Sequence, residues 1–117
     1  MQLIVKKMII NKKIASTLLV IVSSLGQPAF GQAYFGATDC GKWISEKHAT
    51  DRGWLLGYMS GLNFMFKVSG GKTDPLNTVD SASQIFIWMD NYCQKNPLSK
   101  VTKGGNDLFI ELTVQSK

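Results

Sequence analysis

TDRGWLLGYMSGLNFMFKVSGG, residues 50–71, decides the fold. Trp54, Leu55, Tyr58, Leu62, Met65 and Phe66 recur at spacings of three and four, the period of one apolar helix face. Thr50 or Asp51 supplies the N-cap, and a helix of about 16 residues follows from that start. Ser69-Gly70-Gly71 closes it, because glycine adopts the left-handed conformation that a helix C-terminus wants. Lys67 near that end suits the helix dipole.

Upstream, Gln32 to Thr38 reads as a loose lead-in. Asp39 then caps a short helix beginning at Cys40, with Trp43, Ile44 and Lys47 on one side. Downstream, Gly71 to Thr78 reads as a polar loop turned by Asp74 and Pro75. Asp80 is the expected cap of a third helix, with Ser81, Ala82 and Ser83 in its first turn. Ile85, Trp88, Met89, Tyr92 and Cys93 form its buried stripe, and Phe86 and Ile87 widen it. Asn96-Pro97 ends it, since the residue before proline avoids the α region. The last segment is ambiguous. Ser99 as cap with Val101, Leu108 and Leu112 inside makes a helix. Against that, Gly104-Gly105 costs about 2 kcal/mol of helix propensity. Ile110, Leu112 and Val114 also alternate with polar residues, as a strand does. A lone strand has nothing to pair with, so helix is preferred. The expected fold is all-α: a small bundle of about four antiparallel helices with one disulfide.

The chain has 117 residues and a formal charge of +5, from 13 basic and eight acidic side chains. Four of the 13, Lys6, Lys7, Lys12 and Lys13, precede a run of apolar and small residues, Ile14 to Leu25. A basic n-region, an apolar h-region and a small-x-small site describe a secretory signal peptide. Cleavage is expected after Gly31, with Ala33 as the second choice, and Met8 is an alternative start. The domain division is therefore a signal peptide at 1–31 and a single helical domain at 32–117. The run is short of the ~20 apolar residues that span a bilayer, so no stable membrane insertion is expected after cleavage. Cys40 lacks the small apolar neighbours of a lipid-anchored cysteine. The lysine-rich leader points to a bacterial periplasm. Removing the four lysines leaves nine basic against eight acidic residues, +1. A nearly neutral domain offers a phosphate backbone no electrostatic footprint, which argues against nucleic acid. Apolar residues at 44% and aromatics at 10% exclude a disordered chain.

Cys40 and Cys93 are the only cysteines. An even count in a small exported domain reads as a disulfide. The pair closes a loop of about 54 residues, a constraint of roughly 4 kcal/mol in the chain-entropy model. Two cysteines and one distant histidine are too few for a metal site, and neither C-x-x-C nor a partnered Cys-His is present. No metal and no cofactor are expected.

The remaining motifs divide between packing and binding. Gly57 and Gly61 share a helix face at a spacing that admits a neighbouring backbone. Close packing inside the fold is the simpler reading and a dimer contact the sharper one; in either case a larger residue there is expected to push helices apart. Trp43, Trp54 and Trp88 read as core, although an exposed groove of Trp with Met59, Met65 and Met89 would suit unfolded clients. His48 reads as a solvated or capping residue, with no second base or activated serine at helical spacing. Gly70-Gly71-Lys72-Thr73 lacks the first glycine of a phosphate loop and follows a helix. No residue set reads as an active site, so the chain is read as a non-enzyme. At about pH 2 the eight carboxylates are neutral and His48 is charged, and the net charge of residues 32–117 rises from about +1 to about +10.

Several of these residues form a family pattern: an export signal; a first cysteine opening a short amphipathic helix at Cys40-Gly41-Lys42-Trp43-Ile44; a Gly-aromatic helix through Gly57, Tyr58, Gly61, Leu62 and Asn63; and a helix bearing the second cysteine through Val79, Asp80, Ile85, Tyr92, Cys93 and Gln94, before Asn96-Pro97. Over most of residues 39–112 this resembles the HdeA/HdeB family of periplasmic acid-stress chaperones. The resemblance implies a one-disulfide helical domain, dimeric at neutral pH, that acid dissociates so that apolar surface can hold denatured periplasmic proteins. It places the dimer and client surface on the Gly57–Phe66 helix, with Trp54, Gly57, Tyr58, Gly61, Leu62 and Met65 as its residues. Trp88-x-x-x-Tyr92-Cys93 before Asn96-Pro97 also resembles the exported immunity proteins that neutralise type VI secretion amidase effectors. That alternative implies one specific protein partner.

Overall fold

Asp39 accepts a hydrogen bond from the Lys42 backbone N–H at 2.9 Å and so caps α1, Cys40–Glu46, in the computed structural model, which describes residues 33–117. The expected signal peptide, its cleavage sites and the alternative start at Met8 lie outside the described residues, save for Ala33 at their edge. Lys47 turns the chain through the left-handed region (φ 51°). α2, Ala49–Val68, then runs for 20 residues rather than 16, with His48 at its N-cap. Asp51 sits in the first turn of α2, where its charge complements the dipole, and not at the cap. Its C-terminus is a Schellman motif: Gly71 N–H donates to Phe66 O at 2.9 Å, and Gly70 N–H donates to Lys67 O at 3.1 Å with Gly70 at φ 96°. A Cβ on Gly71 would collide with the Phe66 ring.

The segment read as a polar loop contains a 3₁₀ turn, Pro75–Thr78, with Pro75 buried. It packs against α2 and the last helix. Asn63 holds it, donating to Asp74 Oδ1 at 2.9 Å and accepting from Leu76 N–H. α3, Ala82–Lys95, starts one residue later than expected, with Ser81 at the N-cap. Asp80 instead donates its backbone N–H to Gln84 Oε1 at 2.9 Å. α4, Val101–Gln115, is a helix despite its strand-like alternation. Its N-cap is Lys100, not Ser99. Ser99 is engaged elsewhere: its carbonyl accepts from Cys40 N–H at 3.0 Å, and its hydroxyl meets the Tyr92 hydroxyl at 2.9 Å. With Val101 N–H on Thr38 O at 3.1 Å, this makes a single antiparallel bridge between Asp39 and Lys100.

Residues 34–117 form one compact, all-helical unit. α2 and α3 both pack on α4, and α1 packs on α3. The core gathers Trp43 from α1, Leu55 and Met59 from α2, Ile85 and Met89 from α3, and Val101, Leu108, Phe109 and Leu112 from α4. Cys40 and Cys93 are joined with their Cα atoms 4.8 Å apart, inside the usual range for a disulfide. The bond ties the start of α1 to the end of α3, as the cysteine count implied. The Trp43 indole adds a second tie between these helices, donating to Asp90 Oδ1 at 2.7 Å.

The reading of Gly57 and Gly61 as packing glycines inside the fold is corrected. A Cβ at Gly57 or Gly61 meets nothing within 4 Å among the described residues, so neither packs against another of the described helices. The close approach is made by Gly104 and Gly105, the pair that weakened the helix reading of α4. A Cβ on Gly104 would lie 2.7 Å from Met89 Sδ and 2.8 Å from Tyr92 Cδ1. On Gly105 it would lie 3.0 Å from Tyr58 Cδ1. The local propensity cost is outweighed by letting α3 and α2 seat against α4.

Candidate functional site

α2 carries no charged residue from Gly53 to Phe66. At 3.6 residues per turn, Leu55, Met59, Leu62 and Phe66 share the face turned to the core. Gly53, Gly57, Gly61, Phe64 and Val68 share the opposite face and are exposed. Phe64 is 65% exposed, Met65 57% and Val68 60%. These are large values for apolar residues neighbouring one another on one helix. The glycines make a shallow track, since an added Cβ at Gly53, Gly57 or Gly61 points into open space. The side chains of this face offer apolar contact area and no ionisable group.

The six residues expected to share this surface do not all lie on it. Gly57, Gly61 and Met65 are exposed, whereas Leu62 is half-buried against the core. Met65 therefore leaves the buried stripe assigned to it, and Met59, outside that stripe, is fully buried. Trp54 and Tyr58 stand at the rim, stacked at 5.0 Å with ring planes 13° apart. Trp54 Nε1 donates to Phe35 O at 2.6 Å, and the Tyr34 ring meets Tyr58 edge-on at 5.8 Å. The lead-in at residues 34–36 is thus strapped to α2 and not loose. Gly36, at φ 77°, permits this, because a Cβ there would lie 3.0 Å from Trp54 Cδ1.

Burial pushes the Tyr58 hydroxyl up to about 12; the nearby Tyr34 hydroxyl adds to the shift, and the hydrogen bond to Asn106 Oδ1 (2.7 Å) opposes it. A raised folded-state value means that Tyr58 contributes stability in full below its unfolded value of about 10, and that this is lost as pH rises through about 12. Alkaline titration followed by tyrosinate absorbance should therefore show one tyrosine ionising late, with a fall in thermal stability between about pH 10 and 12. Tyr58→Phe should remove the late step.

The three tryptophans, read as core, divide. Trp43 is buried, while Trp54 and Trp88 are half-buried. Trp88 stacks on Tyr92 at 5.4 Å and donates its Nε1–H to Glu111 Oε2 at 3.1 Å. Arg52 lies over the Phe86 ring at 5.2 Å. The sequence offers no signal for the indole–carboxylate pairs, which join residues far apart in the chain. His48 is exposed, with Nε2 3.1 Å from Glu46 Oε2. Among the described residues, no group of three or more His, Cys, Asp or Glu is placed to hold a metal ion. Nor is any helix among them long and apolar enough to cross a membrane.

No protein-family model, curated protein or solved structure matches this chain.

Proposed function

We propose that this is an exported, non-enzymatic polypeptide-binding protein of the periplasm that holds acid-denatured proteins on the exposed face of α2. The carrying observation is that uncharged face, with Gly57, Gly61, Phe64, Met65 and Val68 outward on a helix whose other side is core. At neutral pH a second copy covers it, because apolar surface of this kind is a liability when left open.

The carboxylates supply the acid response. Three of them link elements by accepting from neutral donors: Asp90 from the Trp43 indole, Glu111 from the Trp88 indole and Asp74 from the Asn63 amide. At about pH 2 the domain has gained about nine positive charges, whose repulsion favours dissociation and loosening. The Cys40–Cys93 bond is indifferent to pH in this range and keeps α1 on α3.

Light scattering from a client protein taken to about pH 2–3 tests this reading. The wild type should suppress aggregation. Gly57→Lys should suppress it less, since it sets a charge on the face without meeting any neighbour. Unchanged client aggregation with wild type contradicts the holdase reading. The alternative, a module that neutralises one secreted effector such as a cell-wall amidase, draws on the preorganised, half-exposed Trp88–Tyr92 stack, the kind of rigid aromatic pair that anchors specific interfaces. It predicts a tight complex with a single partner at pH 7 and no response to acid.

A further inference from the structure

A cleft of about 170 Å³ lies between the end of the 3₁₀ turn, α3 and α4, away from the exposed face of α2. Its floor is apolar: Val79, Ile85, Leu108 and Leu112. The Trp88 indole forms one wall. The volume suits one ring, since an apolar cavity of about 150 Å³ takes up benzene.

The rim is anionic. Glu111 lines the cleft, with Oε2 accepting from Trp88 Nε1 at 3.1 Å and Oε1 accepting from Gln115 Nε2 at 3.3 Å. These two neutral donors orient the carboxylate without neutralising it. Gln84, also on the rim, is held by Asp80, donating to Asp80 Oδ2 at 3.5 Å while accepting from its backbone N–H. No basic residue lines the cleft. An apolar floor of ring size, an aromatic wall and an uncompensated carboxylate together specify an apolar group carrying a positive charge.

We propose that this cleft is a binding site for a small aralkyl ammonium compound, with the ring on Ile85, Leu108 and Leu112 and the ammonium on Glu111. The site is independent of the α2 face and of the function proposed for it.

Benzylammonium is the probe, titrated into the oxidised ¹⁵N-labelled protein at pH 7. The Trp88 indole N–H and the Gln115 side-chain amide should shift together and saturate, with a dissociation constant on the order of 1 mM for so small a ligand. Benzyl alcohol, which has the ring without the charge, should bind about threefold more weakly, as befits a partly exposed ion pair. In Glu111→Gln that difference should vanish. The amide oxygen still accepts from Trp88, so continued binding of benzyl alcohol to the variant shows that the cleft is intact. Shifts that never saturate, saturable shifts elsewhere on the protein, or equal affinity of the wild type for the two probes would each overturn the proposal.

Discussion

Cys40→Ala combined with Cys93→Ala should leave the domain largely unfolded at about 37 °C, the usual fate of a small exported domain that loses its disulfide. The loss is about 4 kcal/mol from chain entropy alone, against a total stability of about 5–15 kcal/mol for proteins in general. The structure raises the cost further. α1 has seven residues, too few to hold a helix in isolation, and it packs chiefly on α3. Without the bond it rests on Trp43 and the indole link to Asp90. Its release would also free the Asp39–Lys100 bridge that starts α4. Far-UV circular dichroism across a urea titration, with oxidised, reduced and doubly substituted protein compared, measures this. Matching midpoints for all three would show that the clamp is dispensable.

Adding a side chain should have opposite signs at two glycines. Gly57→Ala places a methyl in open space on an exposed helix and should stabilise by about 1 kcal/mol through helix propensity. Gly104→Val should destabilise by about 3 kcal/mol, at the upper end of the usual range for overpacking. Its Cβ alone falls 2.7 Å from Met89 Sδ and 2.8 Å from Tyr92 Cδ1, and Met89 is fully buried, so its thioether must repack within the core. Thermal denaturation midpoints should move up for the first and down for the second. That gain belongs to the single chain, where the face is open; a downward shift that disappears on dilution would show close packing of Gly57 against the second copy.

The glycines also mark how far the sequence was legible. Helix number and order, and the cysteine pairing, follow from spacing and composition, because 3.6-residue periodicity and an even cysteine count are local or additive signals. Which glycines mediate packing is not local. Gly57-x-x-x-Gly61 has the familiar spacing, yet its face looks outward; Gly104-Gly105 registers only as a propensity penalty until α3 and α2 are placed beside it. The α2 stripe failed for a related reason. Trp54, Tyr58 and Met65 satisfy helical spacing as well as Leu55, Met59, Leu62 and Phe66 do, and the two stripes lie about a quarter-turn apart. On a helix uncharged from Gly53 to Phe66, periodicity cannot choose between them. Packing chose the second stripe. It left Met65 outside and set Trp54 and Tyr58 under the strap of residues 34–36. The helix starts missed by one to three residues because Asp51 and Ser99 serve the first turn and the Asp39–Lys100 bridge instead of capping.

In the proposed function the α2 face is covered by a second copy at neutral pH and uncovered by acid. Molar mass by light scattering on a sizing column, run on the oxidised protein at pH 7 and again at pH 3, tests this most directly. The expected result is a dimer at pH 7 that becomes a monomer at pH 3, with Gly57→Lys already monomeric at pH 7. A wild-type monomer of unchanged mass at both values would contradict it.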